Sequence, residues 1–479
     1  MRFFTFLFFL CSLAVAAEKR PNIVFILADD LGYGELGCFG QKLIATPNLD
    51  RMAAEGIKFT RFYAGSPVCA PSRSVLMTGL HTGHTRVRGN AGKLNREAQN
   101  LRAGDVTVAE VLKKAGYATA LIGKWGIGHQ GSDGVPNKKG FDYFYGYLDQ
   151  HHAHNPYPPF IMRNDEKVTL RNGIIAGSDG GKDGAESGAG IAETPVDFVP
   201  DLMADEALKW VESKKDAPFF LFWSLITPHA NNEGTKHGRG QEIPDLGDYK
   251  DKPWPLADKA HAATITRLDA DVGRLLALLK KTGIDENTLV IFSSDNGHHK
   301  EGGNDPELFD ANGPLNGLKR NLTEGGIRVP TVARWPGTTR AGKEGRTAYW
   351  FADILPTFAY LAGSTPPENL DGQSFSSRLR NVPFKPPQRK PMYWEFHEGG
   401  FSQAAIIDDR WKAIRLKRRD APVQIFDLRK DLGETTDLAA EKPDLVAQAK
   451  ELFTTARADS PDWPMKDGPV SKAGAALSK

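Results

Sequence analysis

Cysteine is scarce in this sequence: 479 residues hold only Cys11, Cys38 and Cys69. Three are too few for a fold stapled by disulfides, and a Cys38–Cys69 bridge is the bland alternative to a free thiol at either position. Long apolar runs are also lacking. The run from Phe3 to Val15 lies between Arg2 and the small residues Ala16 and Ala17, the pattern of a cleaved secretory signal over residues 1–17, and it is too short to span a bilayer. The mature chain is therefore expected to be exported, periplasmic or extracellular, with no membrane attachment after cleavage. An excess of charge is missing as well, since 61 Lys and Arg balance 59 Asp and Glu. That balance removes nucleic acid and anionic membranes from the partners that an overall field would attract, so any anion must be bound locally.

What the chain does have is 40% hydrophobic and 25% charged content, enough for one large core and a smaller one. Four short apolar runs end abruptly in polar residues: Asn22–Asp30 (NIVFILADD), Tyr117–Trp125 (YATALIGKW), Phe219–His229 (FFLFWSLITPH) and Thr288–Asn296 (TLVIFSSDN). Near-continuous apolar strands suit a sheet covered by helices on both faces. Helical stretches alternate with them. In TPNLDRMAAEG, Thr46 stands as cap, Pro47 at the first helical position and Gly56 as the stop; VTVAEVLKKAG ends at Gly116 and AATITRLDADVGRLLALLKKTG at Gly283. The alternation predicts an α/β fold with a large, mixed but mainly parallel sheet between helices over residues 18–380. After the Pro-rich Asn381–Met392, short alternating strands in MYWEF, AAIIDDRWKAIRL and VQIFDL and a helix near Asp444–Ala456 predict a smaller α+β subdomain with an antiparallel sheet over 381–479. The Gly-rich stretch Ala176–Gly190 reads as a surface loop, and the tail from Lys466 as disordered.

Ligands of such sheets bind beyond the carboxyl ends of the strands, where all four polar ends fall. Asp29, Asp30, Asp295 and Asn296 are an all-oxygen set suited to a hard divalent cation. Each pair alone would read as an ordinary turn; together at two strand ends they favour a metal. Arg73, Lys124 and Lys319 add fixed positive charge, and a cation flanked by such groups suits a tetrahedral oxyanion, sulfate or phosphate. A helix beginning near Pro71 would turn its positive end to the same target. Cys69 lies four residues before Arg73, too close for the loop of a cysteine phosphatase. A buried structural thiol and a reactive thiol at a helix start are both open readings.

The stretch CAPSRSVLMTG matches the sulfatase signature C-x-P-S-R-x4-T-G at Cys69, Pro71, Ser72, Arg73, Thr78 and Gly79. The chain also resembles that family, within the alkaline phosphatase superfamily, at NIVFILADDLGYGELGCFG, GKWG, TPHA, SSDNG, LKRNLTEGGIRVP, DILPT, DGQS and IFDLRKDLGETTDLA. The resemblance implies an alkaline-phosphatase-like catalytic domain and a separate maturation enzyme that oxidises Cys69 to formylglycine (3-oxoalanine). It implies that Asp29, Asp30, Asp295 and Asn296 hold one Ca²⁺, that Arg73 and Lys124 orient the hydrated aldehyde, that Lys319 holds a sulfate oxygen, and that His229 assists the leaving alcohol. One diol oxygen would attack sulfur, the alcohol would depart, and deprotonation of the other hydroxyl would expel sulfate.

One position departs from the family. A histidine is expected two residues after the strand-end lysine, in GKWH, and here Gly126 stands in its place. Candidates to take the diol proton are His129, His152 and His154, of which His154 is favoured because its loop is dense in histidine and aromatic residues. The function expected is hydrolysis of sulfate esters on a sulfated polysaccharide or oligosaccharide. The alternatives are a phosphodiester or phosphonate hydrolase of the same superfamily and an inactive carbohydrate-binding relative. NNEG (Asn231–Gly234) and WEFHEGG (Trp394–Gly400) carry polar and aromatic groups suited to sugars.

Overall fold

The structure, a computed structural model, describes residues 20–91, 93–179, 187–383 and 389–469. The expected signal at 1–17 lies outside these residues, as do 180–186 of the Gly-rich stretch. The four apolar runs become four strands: β1 (Asn22–Ala28), β2 (Ala118–Lys124), β3 (Phe219–Ser224) and β4 (Thr288–Ser294). They are parallel neighbours in the order β4-β1-β3-β2 at the centre of a ten-stranded sheet, with antiparallel pairs toward both edges. Parallel strands must be screened from water on both faces. Accordingly Ile23, Phe25 and Leu27 enter one core, and Val24, Ile26 and Ala28 the other.

Helices seal the two faces. The second core takes α1 (Pro47–Glu55), α4 (Val199–Lys214) and α5 (Leu256–Lys281), while the first takes α2 (Cys69–Thr78), α3 (Val108–Lys114) and α6 (Ile354–Leu361). The helix ends follow the expected chemistry with one correction. Thr107 and Glu110 form a reciprocal capping box on α3, but Thr46 does not cap α1. Its hydroxyl instead accepts the Gly37 N–H at 2.8 Å and meets Asp50 Oδ1 at 3.2 Å, tying the helix to the preceding loop. Cys38 and Cys69 are both free, so the Cys38–Cys69 bridge does not form. Among the described residues no helix is long and apolar enough to cross a membrane.

The C-terminal region forms a separate four-stranded antiparallel sheet, Met392–Phe396, Ser402–Ile407, Trp411–Arg415 and Gln424–Asp427, with α7 (Pro443–Thr455) beside it. Both faces of this sheet are covered. Trp394, Ala404 and Ile414 join the large core, and Tyr393, Ala405 and Ala413 pack with Phe453 of α7. The tail is also ordered further than expected. Lys466 O accepts from Phe401 N at 2.8 Å and Gly468 N donates to Lys417 O at 2.7 Å, while 470–479 lie outside the described residues.

Burial gives one of the candidate histidines a structural task. His152 is sealed between the rings of Tyr147 and Phe160, and its Nε2 bonds the Phe160 carbonyl at 2.9 Å. Burial pulls its imidazole from the ordinary 6.5 down to about 4. The unfolded chain therefore takes the proton first, and this contribution to stability, complete above pH 6.5, is lost as the pH falls toward about 4. His152→Gln is expected to flatten the loss of thermal stability between pH 7 and 4.5, by on the order of 2 kcal/mol at the acid end. Melting curves of both proteins across that range check it, and parallel curves would reject the assignment.

Candidate active site

Helix α2 starts at Cys69, two residues earlier than its proline suggests. Pro71 sits in the first turn, where its missing N–H is no loss, and Gly79 ends the helix in the left-handed region at φ +70°. All ten residues are buried, so each polar side chain needs a partner. Ser72 Oγ accepts from Gly65 N at 3.0 Å and donates to the Asp295 carbonyl at 2.5 Å, which pins the helix to the end of β4. Val68 before it supplies no side-chain cap. The helix therefore presents its positive end around Cys69.

Strand ends bring the acids to that point. Successive strand residues face opposite sides, and Asp30 interrupts the alternation with φ +65°, a region Asp tolerates better than most residues. Both carboxylates then reach the site. Asp29 Oδ1 lies 3.3 Å from Cys69 Sγ and its Oδ2 2.7 Å from Lys124 Nζ and 3.8 Å from Arg73. Asp295 Oδ2 accepts from Arg73 at 2.8 and 3.1 Å, and its Oδ1 accepts from the Asp30 N–H at 3.1 Å. Arg73 also donates to the Lys124 carbonyl at 2.8 Å and meets Ser224 Oγ at the end of β3. This close join of β2 and β3 needs glycine at 123, since a Cβ there would lie 1.7 Å from Ser224 O.

Two carboxylates share these cations unequally. Burial pushes Asp29 up, but Lys124 and Arg73 outweigh it and hold the group below the ordinary carboxylate range. Burial and the charge of Asp29 push Asp295 up, which Arg73 only partly offsets. Burial, then Asp29, also lifts the Cys69 thiol well above its ordinary range. An unmodified thiol here stays protonated at neutral pH and is a poor nucleophile.

On the other side Lys319 Nζ donates to Asp30 Oδ2 at 2.7 Å and Glu301 Oε2 at 3.0 Å, and lies 3.2 Å from His229 Nε2. His229 Nδ1 is 2.7 Å from the Ala230 carbonyl, so Nδ1 carries the proton and Nε2 accepts from the lysine. Burial and then Lys319 keep this imidazole neutral. The walls enclose a cavity of about 320 Å³ in which Cys69, His229, Lys319, Gly126 and His154 all take part.

Nine of the ten expected residues thus join one network. Asp29, Asp30, Cys69, Arg73, Lys124, His229, Asp295 and Lys319 are linked directly, and Asn296 Nδ2 donates to Asp30 Oδ1 at 2.6 Å. The tenth, His154, lies in the same cavity, stacked on His229 at 4.8 Å with its Nδ1 3.1 Å from Glu233. His129 also lines the cavity, with its Nδ1 2.7 Å from Asn100; His152 is the buried group already described. The oxygen set passes a test for a hard cation. Asn296 Oδ1 is buried with no hydrogen-bond partner among the described residues, an acceptor that a cation beside the three carboxylates would satisfy. Sequence reasoning missed Ser224 and Glu301. Ser224 carried a usable signal as the polar end of an apolar strand; Glu301, in a loop, carried none.

The sulfatase family's sequence profile matches residues 21–364, and that of the N-sulphoglucosamine sulphohydrolase C-terminal region matches 318–458. N-acetylgalactosamine-6-sulfatase of Rattus norvegicus is 34% identical over 382 residues, with 75% of this chain and 66% of the relative covered; the chain spans just under two thirds of that relative's length. Arylsulfatase A of Homo sapiens is 31% identical over 489 residues, covering 91% of this chain and 88% of its own. The solved structure of Ps i-CgsB in complex with k-i-k-neocarrahexaose has a TM-score of 0.75 at 27% identity, over 94% of this chain and 95% of that one. A match from Pro21 to Ser364 passes through all four strands whose ends supply Asp29, Asp30, Lys124, Ser224 and Asp295, which is more than a shared signature, and the chain belongs to the sulfatase family.

Proposed function

We propose that the protein hydrolyses sulfate esters of saccharides, with Cys69 as the precursor of its nucleophile. One observation carries the reading: a side chain at the positive end of a helix is ringed by Lys124, Arg73 and Lys319 and by an oxygen set suited to a cation. The sulfatase relatives, one named for a sulfated amino sugar and one solved with a carrahexaose, support a saccharide as substrate. Export, and maturation by a separate enzyme before use, belong to the same proposal.

Asp29, Asp30, Asp295 and Asn296 would hold Ca²⁺, which when bound supplies positive charge to polarise a sulfate oxygen. Formylglycine at position 69, when formed, supplies a hydroxyl nucleophile and a second hydroxyl through which sulfate is released. The other roles fall to the chain itself. Lys124 and Arg73, fixed by Asp29 and Asp295, orient residue 69; Lys319, fixed by Asp30 and Glu301, binds the anion. His229 is neutral before substrate arrives, and an anionic ester beside Nε2 favours its protonation. It is then placed to give that proton to the departing alcohol. His154 stacks on His229 and lines the same cavity as Cys69, where it is the proposed acceptor of the diol proton.

Leaving-group dependence tests the role of His229. His229→Ala is expected to lower kcat on a sugar sulfate by about 10²–10³-fold, but on 4-nitrophenyl sulfate, whose leaving group needs no proton, by less than about 10-fold. Equal losses would remove the general-acid role. The reaction class is tested by rates on aryl sulfate, aryl phosphate and phenylphosphonate; a preference for either phosphorus ester would overturn the sulfatase reading.

A further inference from the structure

The missing histidine leaves a gap that other side chains fill. Gly126 lines the cavity in the left-handed region at φ +79°, and a Cβ there would lie 3.4 Å from Gln150 Cγ and 3.5 Å from its Cδ. Gln150, which is 8% exposed, is thus the side chain against which a residue at 126 would pack. Gln150 Nε2 donates to Asn90 Oδ1 at 2.6 Å, and the same oxygen lies 3.4 Å from the N–H of Ala70, the residue after Cys69. Ala70 N–H can only donate, which favours the orientation with the Asn90 oxygen facing it. Asn90 Nδ2 and Gln150 Oε1 then have no partner among the described residues, and both residues line the cavity with Cys69.

The geometry points to Asn90 as a substrate-binding residue whose Nδ2 donates to the sulfate group, and to Gln150 as the positioning residue that aims it; neither takes the diol proton, which stays with a histidine. This rests on the sulfatase reading above. A donor at that place suits an anion drawn by the helix end, Lys319 and Lys124. Unlike an imidazole, a carboxamide does not titrate, so this wall contributes donors of constant strength across the working pH range. Gln150 acts through Asn90: without its Nε2–H, the Asn90 oxygen keeps only the long contact to Ala70.

Three variants separate donation from mere support. Asn90→Ala removes the Nδ2 donor. Asn90→Asp keeps the oxygen that accepts from Gln150 and Ala70 but turns an acceptor toward the anion. Gln150→Ala frees the Asn90 amide. With inorganic sulfate as probe and unmodified Cys69 protein, calorimetry is expected to show about 10-fold weaker binding for Asn90→Ala, about 100-fold for Asn90→Asp and a few-fold for Gln150→Ala. In matured protein the same order is expected in kcat/KM for 4-nitrophenyl sulfate, with Asn90→Asp poorest. A merely structural role predicts Asn90→Asp close to wild type, and that result, with wild-type turnover intact, would overturn the inference alone. Wild-type protein that cleaves no aryl sulfate would overturn the sulfatase reading and this inference with it.

Discussion

Cys69→Ala is expected to remove sulfate-ester turnover by about 10³-fold or more, the scale seen when a nucleophile is deleted from a preassembled site. The surroundings make this a chemical loss. Among the described residues Cys69 Sγ makes one polar contact, at 3.3 Å to Asp29, and no other element of the network depends on it. Arg73, Lys124 and Lys319 keep their carboxylate partners without it. The variant should therefore fold with a melting temperature close to wild type and still bind inorganic sulfate. The same environment predicts that unmodified Cys69 is itself inactive, because burial and Asp29 hold the thiol protonated at neutral pH. Activity should track the fraction of protein in which mass spectrometry finds the position 69 sulfur replaced by a carbonyl oxygen. Full turnover by protein carrying only intact cysteine would refute the nucleophile assignment.

Asp29→Ala should be the most damaging single change to stability. The carboxylate is fully buried, and its removal leaves Lys124 with no acceptor at 2.7 Å and deprives Arg73 of one of two acidic neighbours. Breaking a buried ion pair from one side costs about 3–5 kcal/mol, because the remaining charge stays buried. The change also takes one oxygen from the expected cation set. Ca²⁺ at 1,000 times its Kd should stabilise the wild-type protein by about 4 kcal/mol through mass action. Asp29→Ala should melt at a lower temperature without Ca²⁺ and gain little from it. Melting curves with and without Ca²⁺, followed by calorimetric titration, decide the point; an undiminished Ca²⁺ response in the variant would exclude Asp29 from the metal set.

The sheet was legible because burial on both faces leaves an unmistakable local trace: four apolar runs, each cut off by a polar residue. The polar ends of β1, β2 and β4 were read correctly as a meeting point, since parallel neighbours place their carboxyl ends together whatever their order in the chain. Thr46 shows where local pattern misleads. A threonine before a helix proline is a cap in isolation, but here its hydroxyl is drawn to Gly37 and Asp50. The C-terminal sheet and the helix after it were legible too, and that helix, α7, covers the second face of the strands.

The sequence by itself determined the parallel sheet, the helix that carries Cys69, the acids and cations that meet there and the family, because each leaves its mark within a few neighbouring residues. Tertiary structure alone decided what fills the gap at Gly126, which histidine is buried and which lies in the cavity, and how two aspartates divide the same cations. Those outcomes depend on the direction and distance of side chains far apart in the chain, such as Gln150 against Asn90 and Asp29 against Lys124. Hydrogen bonds and burial act over a few ångströms of space, and no local pattern of residues encodes that separation.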